Sequence, residues 1–260
     1  MQKTMLAAAL ALVSASLCTT AFASPITFFG EDINNNGPNS APLTSFPNSN
    51  AAAASFLANL TGVGTQTFDG LSVGATTPLA ITFPGAGTAT LLGGGQVRAG
   101  NDGIGHYPIS GNQYFWASTS NAAIDFSTPI AAFGFYGIDI GDYGGNLTLT
   151  VTDTNNNQSV INVPDQISPN GQISGSVLYF GFYDTTSQYT SIAFGNNSGV
   201  DQFAYDNMTI GSLSQVNPVN PVPEPPSLGM LGLGLLSVGW LYRRHREARR
   251  SMRLTGCNIV

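Results

Sequence analysis

An apolar segment lies at each end of this chain, and the two segments limit what the polypeptide between them can form. Removing both leaves roughly 190 residues, which is enough for one domain with a sizeable hydrophobic core. We therefore expect a single folded domain flanked by two segments that interact with a membrane.

The first apolar segment has the features of a secretory signal peptide. Lys3 supplies a positive charge, Met5 to Leu17 form an apolar run, and Ala21-Phe22-Ala23 is a cleavage site of the small-x-small type. An uncleaved anchor is disfavoured because the run is shorter than the ~20 residues that span a bilayer. Residues 1–23 are thus predicted to be removed, leaving Ser24 as the first residue of the mature chain.

The second apolar segment has the features of a single membrane-spanning helix. No charge occurs between Ser227 and Tyr242, a stretch that would be about 24 Å long as a helix. Arg243, Arg244 and Arg246 follow at once. Because positive charge accumulates on the cytoplasmic side, residues 243–260 are predicted to be a cytoplasmic tail and the domain before the helix to lie outside.

The segment before this helix, residues 213–226, is a proline-rich linker. Its prolines exclude a helix or a central strand. Within it, Val222-Pro223-Glu224-Pro225 stands directly before the apolar helix. This order of V-P-E-P, apolar helix and arginine cluster resembles the PEP-CTERM family of protein-sorting signals.

That resemblance implies a route through the cell. The family occurs in Gram-negative bacteria that make extracellular polysaccharide, and its tails are cut by exosortase, a membrane-embedded cysteine transpeptidase. It implies that Val222, Pro223, Glu224 and Pro225 are recognised by the sorting enzyme and are not catalytic. The protein is then anchored in the inner membrane before it reaches the cell surface or the extracellular space. A permanent single-pass anchor is the alternative.

The exported part is strongly acidic. Residues 24–226 contain thirteen acidic residues and one basic residue, Arg98, so the formal charge is one minus thirteen, or −12. Such a surface repels nucleic acid and attracts cations. The two cysteines, Cys18 and Cys257, lie in the signal and the tail. The domain therefore folds without disulfides and depends on its core, on a bound ion, or on both.

The pattern of residues 24–212 predicts an all-β fold, a single jelly-roll or β-sandwich domain with one short helix. Short apolar runs alternate with turn clusters rich in Gly, Asn, Ser and Thr. The clearest unit is a hairpin, in which residues 147–152 alternate apolar and polar, Asn155–Asn157 form the turn, and residues 160–163 return.

Other strands and one helix are also predicted. A helix is expected over Ala51–Leu60, with Asn50 as its N-cap. The remaining strands are predicted at Ala80–Phe83, Ala123–Phe126, Ile130–Ile140, Val177–Tyr183, Ser191–Phe194 and Phe203–Ile210.

Two acidic residues are candidate calcium ligands. Asp69 lies near the first strand and Asp206 on the last, an arrangement similar to jelly-roll domains of the carbohydrate-binding and galactose-binding type. That similarity implies that the two acids meet around a structural Ca²⁺, whose preferred ligands are oxygen atoms. The alternative is that both carboxylates cap turns at strand ends.

A second calcium motif is incomplete. Asp32, Asn34, Asn36 and Gly37 match the first half of a D-x-[DN]-x-[DN]-G loop, but Leu43 occupies the position of the bidentate Glu. An Asn-rich surface loop with Asx turns is therefore favoured here.

Three aromatic residues are candidates for glycan binding. Tyr107, Tyr114 and Trp116 lie within the glycine-rich segment 100–116, and aromatic rings on such loops can stack on sugars. The alternative is that these rings belong to the core or the rim of the sandwich.

The residue inventory argues against an enzyme. The exported part has no Cys, no Lys, a single histidine at position 106 and no G-x-S-x-G motif. The sequence thus predicts a non-enzymatic protein of the cell surface or exopolysaccharide matrix. A carbohydrate-binding module is the alternative, and a glycoside-active enzyme with paired carboxylates is a third hypothesis.

Overall fold

The computed structural model describes residues 24–35, 41–117, 121–165 and 174–217. These residues form one α-helix and thirteen β-strands, with a short 3₁₀ turn at Leu213–Gln215. The elements are β1 (Ile26–Asp32), α1 (Pro47–Leu57), β2 (Thr65–Gln66), β3 (Leu79–Phe83), β4 (Gly87–Leu92), β5 (Gly95–Ala99), β6 (Gln113–Ala117), β7 (Ala123–Ile130), β8 (Ala132–Ile138), β9 (Leu147–Asp153), β10 (Gln158–Asn162), β11 (Val177–Tyr183), β12 (Tyr189–Asn196) and β13 (Phe203–Gly211).

The strands pair into two antiparallel sheets that form a β-sandwich. The seven-stranded sheet has the order β1-β11-β8-β13-β6-β5, with β2 paired to β13. The six-stranded sheet has the order β10-β9-β12-β7-β4-β3. The sandwich predicted from the sequence is confirmed.

The two sheets differ in how much of their surface is buried, and their sequences show why. In β9, Leu147, Leu149 and Val151 are buried while the intervening threonines are half-exposed, so only one face meets the core. In β8 and β11 every residue is buried. Helix α1 covers the outer face of the seven-stranded sheet, which is why these two strands have uninterrupted apolar sequences.

Several predicted elements are confirmed. The hairpin is present as β9 and β10, with Val160 opposite Thr150. The strand predicted at Val177–Tyr183 is β11 with the same bounds, and the strand at Ala80–Phe83 falls within β3. Alternation in β9 and the aromatic, apolar run of β11 are sufficient signals at these places because both strands are seven residues long and contribute to the core.

The strand predicted at Ile130–Ile140 is corrected, because the chain changes sheets within it. Strand β7 ends at Ile130 in the six-stranded sheet, and β8 begins at Ala132 in the seven-stranded sheet. Ala131 between them is fully buried, and its N–H donates to the carbonyl of Gly211. Because apolar residues lie on both sides of Ala131, the sequence pattern does not indicate that the strand ends there.

The helix begins earlier than predicted, at Pro47, and Asn50 is not its cap. The carboxylate of Asp32, at the end of β1, accepts hydrogen bonds from the backbone N–H groups of Asn48 and Ser49 at 3.2 and 2.9 Å. Proline at the first helical position needs no such partner. Asn50 instead accepts a hydrogen bond from the hydroxyl of Tyr136 at 2.8 Å.

The chain stays packed against the sandwich beyond residue 212. Leu60 forms an isolated β-bridge with Val216, and the N–H of Asn217 donates to the carbonyl of Asn59 at 2.7 Å. Among the described residues, no helix has the length and apolar character to cross a membrane. The predicted signal peptide, most of the proline-rich linker and the predicted membrane helix at 227–242 lie outside those residues.

Candidate functional site

A cavity of about 340 Å³ has an unusually acidic lining. We call it the acidic cavity. Its polar and titratable lining includes His106, Asp139, Asp142, Tyr143, Ser174 and Asp201. None of its three aspartates is among the candidate site residues that the sequence predicts.

Strand pairing brings these acids together from distant parts of the chain. Asp139 directly follows β8, and Asp142 lies in the loop between β8 and β9. Asp201 lies just before β13. Because Ala204 of β13 pairs with Ile138 of β8, the end of one strand stands beside the beginning of the other.

Asp139 is held rigidly by backbone around it. Its φ of 64° lies in the left-handed region, which non-glycine residues seldom adopt. Its Oδ1 accepts a 2.6 Å hydrogen bond from the N–H of Gly175. A Cβ at Gly105 would lie 2.3 Å from Oδ2, so only glycine permits this close approach. Burial, followed by the charge of Asp142, raises the pKa of Asp139 to about 7.

Asp142 and Asp201 form a buried pair of carboxyl groups, each 1% exposed. One oxygen of each is held: Oδ2 of Asp142 accepts from the Ser174 hydroxyl at 3.4 Å, and Oδ2 of Asp201 accepts from the N–H of Gly145 at 3.0 Å. Burial raises the pKa of both groups, and the neighbouring charge of Asp142 contributes to raising that of Asp201 to about 7. The form of the pair in which both carboxyl groups are ionised is therefore destabilised.

His106 is fixed between acceptors on both sides of its ring. Nδ1 lies 2.7 Å from Oδ2 of Asp102, and Nε2 lies 3.0 Å from the carbonyl oxygen of Gln202. Both neighbouring atoms are acceptors, an arrangement that favours the doubly protonated imidazolium. Burial alone would lower the pKa of His106, but the hydrogen bond to Asp102 and the other negative partners raise it.

The three aromatic candidates are placed differently from one another. Tyr107 and Tyr114 are 4% and 0% exposed, and burial raises the pKa of each hydroxyl to about 12. Both rings belong to the buried cluster that also contains residues of α1, so neither offers an open face to a sugar. Trp116 is half-buried, with the Arg98 guanidinium 3.7 Å from its ring centroid.

Asp69 and Asp206, the predicted calcium ligands, both accept hydrogen bonds from one loop. Oδ1 of Asp69 accepts from the N–H groups of Asn112 and Gln113, at 2.7 and 3.0 Å. Oδ2 of Asp206 accepts from those of Ile109 and Ser110, at 2.8 and 3.1 Å. The two carboxylates therefore bind neighbouring stretches of the β5–β6 loop. These hydrogen bonds are those expected of carboxylates that cap turns, and calcium binding by the two acids stays a prediction.

The two described residues of the incomplete calcium motif, Asp32 and Asn34, form hydrogen bonds within the fold. Asp32 caps α1, as described above, and Asn34 is buried, with its N–H bonded to the Ser176 hydroxyl at 2.9 Å. Asn36 and Gly37 lie outside the described residues. So do the sorting residues Val222, Pro223, Glu224 and Pro225 and the tail residues Arg243, Arg244 and Arg246.

Only one local sequence pattern indicates acids of the acidic cavity. Asp139 and Asp142 occur in a segment, IDIGD, that ends a long apolar strand and enters a glycine-rich loop. Nothing in the local sequence connects them with Asp201, since that proximity comes from the pairing of β8 with β13.

Comparison with known proteins identifies the C-terminal motif. Residues 221–244 match the family model of the PEP-CTERM protein-sorting motif. The resemblance stated from Val222 to Pro225, the apolar segment and the arginines is thereby confirmed. No curated protein matches the chain.

Solved structures that match the chain include two carbohydrate-binding modules. The CBM22-1 xylan-binding domain of Paenibacillus barcinonensis Xyn10C is 11% identical, with a TM-score of 0.32, and the match covers 57% of this chain and 99% of the module. The C-terminal family 22 module of Clostridium thermocellum Xyn10B is 13% identical, with a TM-score of 0.34, covering 60% and 97%. At such scores the likeness gives no basis for assigning a ligand to this chain.

Proposed function

We propose that this chain is a non-enzymatic protein of the cell surface or exopolysaccharide matrix, delivered there by its C-terminal sorting tail. The observation that carries the proposal is the match of residues 221–244 to the PEP-CTERM protein-sorting motif. This motif indicates export and membrane-associated sorting. Its partner would be an exosortase-type transpeptidase that cuts at Pro223-Glu224-Pro225 and releases the β-sandwich.

The distribution of charge supports this route. Nearly all the basic residues lie in the two terminal segments, whereas residues 24–226 have a formal charge of −12. Arginines after an apolar helix favour the cytoplasmic side, and an acidic domain is repelled by anionic lipid. The proposal therefore places the helix at 227–242 in the inner membrane, with the sandwich outside, before release.

The surroundings of the single histidine of the exported part support a non-enzymatic role. His106 is 2% exposed, and both of its ring nitrogens face hydrogen-bond acceptors. An imidazolium held in this way has no free nitrogen with which to accept a proton from a substrate. The residue acts instead as a positive charge that holds Asp102 and the segment around Gln202.

Replacement of the sorting residues should prevent release of the domain. We expect the triple variant Pro223→Ala, Glu224→Ala, Pro225→Ala to accumulate uncut in the membrane fraction of an exosortase-containing host. The wild-type chain should appear outside the cell without the segment that follows the motif. Immunoblots against the sandwich and mass spectrometry of the released C-terminus measure this. Pro218→Ala, in the same proline-rich stretch, is the control and should be released normally.

Two results would contradict this proposal. Release of the triple variant at the wild-type rate would show that the motif does not direct cleavage. Retention of the whole wild-type chain in the membrane of a host with active exosortase would indicate the permanent anchor instead.

A carbohydrate-binding role is the second candidate, and the partial exposure of Trp116 favours it. The ring lies beside Arg98, the only basic residue of the exported part, so an aromatic and a cationic group share one surface. If this surface binds polysaccharide, Trp116→Ala should lower retention at least ~10-fold, equivalent to about 1.4 kcal/mol. Affinity electrophoresis on a panel of polysaccharides measures it, with Val160→Ala, an exposed apolar residue of the six-stranded sheet, as the control. Equal retention of both variants would exclude the Trp116 surface.

A further inference from the structure

We propose that the acidic cavity is a binding site for one divalent cation, with Ca²⁺ as the preferred ion, held between the carboxyl groups of Asp142 and Asp201. The site is separate from the pair Asp69 and Asp206 that the sequence suggested. It also does not depend on how the chain is sorted.

Each carboxyl group of the pair has one oxygen that accepts no hydrogen bond from the described residues. Oδ1 of Asp142 and Oδ1 of Asp201 are both buried, and the two carboxyl groups lie within hydrogen-bonding reach of each other. Their Oδ2 atoms are held by Ser174 and Gly145. A buried carboxylate oxygen that has lost water and gained no donor is costly, so a ligand that binds both oxygens would stabilise the fold.

The negative charge of the acidic cavity is not balanced by nearby positive side chains in the described part of the chain. The two nearby positive groups, Arg98 and His106, both bind Asp102, at 3.5 and 2.7 Å. Asp139 has only a longer contact with the other ring nitrogen of His106, at 3.5 Å from its Oδ2 to Nε2. No positive side chain among the described residues forms an ion pair with Asp142 or Asp201. Two like charges this close in a poorly solvated site repel strongly unless a cation or a proton lies between them.

Neighbouring residues fix the orientation of both carboxyl groups. A Cβ at Gly145 would stand 2.5 Å from Oδ2 of Asp201, so the glycine lets the backbone N–H reach that oxygen. The N–H bond fixes Oδ2 and leaves Oδ1 for a ligand. Ser174 does the same for Asp142. Hydrogen bonds to the Oδ2 atoms thus orient the two carboxyl groups, as hydrogen bonds commonly orient carboxylates that bind a metal.

The donor set selects the class of ion. The available atoms are oxygens, the exported part has no cysteine, and both nitrogens of His106 are already engaged. Hard oxygen donors suit Ca²⁺ better than Zn²⁺ or Cu²⁺. No three acidic, His or Cys side chains among the described residues are arranged to hold a metal by themselves. Two carboxylates would therefore bind the ion, and water or backbone oxygens would complete its coordination.

The test is a calcium titration of the full chain in detergent, after treatment with chelator and dialysis at pH 7.5. We expect Ca²⁺ to raise Tm by roughly 5 °C or more once its concentration exceeds Kd a hundredfold. The double variant Asp142→Asn, Asp201→Asn should lose this shift. In chelator it should also melt above the wild type, because the repulsion is removed. Asp125→Asn, an exposed acid on the other sheet, should keep the full shift.

Three outcomes would overturn the proposal. An unchanged Tm of the wild-type chain in Ca²⁺ would mean that the two carboxyl groups share a proton and bind no ion. A shift that survives in the Asp142 and Asp201 double variant, or that is lost in Asp69→Asn, would assign the ion elsewhere. If the double variant does not fold, the single variant Asp201→Asn answers the same question, since it removes one of the two ligands.

Discussion

Replacing Phe56 with alanine should lower the free energy of unfolding by about 3–5 kcal/mol, which corresponds to a fall in Tm of roughly 10 °C or more. Phe56 is the residue of α1 that enters most deeply between the helix and its sheet, and it is fully buried. Its ring lies 5.9 Å from that of Phe28 and 6.0 Å from that of Tyr179, centroid to centroid. Removing the ring takes away a large apolar contact at the centre of this interface.

The surroundings cannot fill the space that the ring would leave. A Cβ placed on Gly134 or Gly181 would lie within 2.8 and 2.9 Å of ring atoms of Phe56. The ring of Phe56 therefore packs directly on the backbone of the two glycines. Backbone in the middle of a sheet cannot move into a cavity as a flexible side chain can. The expected loss is for this reason near the upper end of the usual range.

Leu57 provides a matched control on the same helix. It is 38% exposed, so Leu57→Ala removes a similar side chain while exposing little new apolar surface. That variant should change the free energy of unfolding by less than about 1 kcal/mol. Thermal and urea unfolding of both variants decide the matter. Equal effects at the two positions would mean that α1 contributes little to the stability of the sandwich.

The same helix shows where prediction from sequence stops. Its interior was recognised from the run of alanines, but its start was not, because the cap is Asp32 at the end of β1. A cap supplied by a distant strand cannot be read from the residues beside the helix. A strand that packs one face on the core, such as β9, is recognisable because its alternation is local.

Strands with weak local signals were missed for a related reason. The strands β4 and β5 contain glycine and polar residues and lie at or near sheet edges. Their conformation is determined by neighbours such as β3 and β6, with which they pair along their whole length. Tertiary pairing thus overrides a poor propensity for strand.

The candidate site follows the same rule. The sequence suggests Asp69 and Asp206 by analogy with other jelly rolls, and both hold backbone of the β5–β6 loop. Asp142 and Asp201, which the sequence does not connect, are brought together by the register of β13 on β8. Residue type alone indicated only that an acidic, disulfide-free domain would attract cations.

Lowering the pH from 8 to 5 should stabilise the domain when chelator is present, which is opposite to the usual acid denaturation. Burial raises the pKa of Asp139, Asp201 and Asp206 to about 7, from an ordinary value of 3.8. Between pH 4 and 7 the folded state therefore binds more protons than the unfolded state, so stability falls as the pH rises through this interval. Asp142 and His106, whose pKa values are also raised, act in the same direction.

The opposing groups do not reverse this sign. The pKa of Asp102 is lowered by its hydrogen bonds to His106 and Ile104, which outweigh the effect of burial. Hydrogen bonds from Asn157 likewise lower that of Asp153. The stability that these two groups contribute is lost only below about pH 4, the ordinary range of an aspartate. Above that range the buried acids with raised pKa values dominate, and we expect a gain of at least ~2 kcal/mol between pH 8 and pH 5.

Asp201→Asn isolates the contribution of the buried pair. An asparagine resembles the protonated carboxyl group: its oxygen can still accept from the N–H of Gly145, and its amide can donate to Asp142. This variant should melt above the wild type at pH 8 and close to it at pH 5, so the difference between the two pH values shrinks. Asp125→Asn should leave the pH dependence as it is, because that side chain is exposed. A wild-type Tm that falls steadily from pH 8 to pH 5 would show that these carboxyl groups are ionised in the folded domain and stabilised by contacts that act on the charged form.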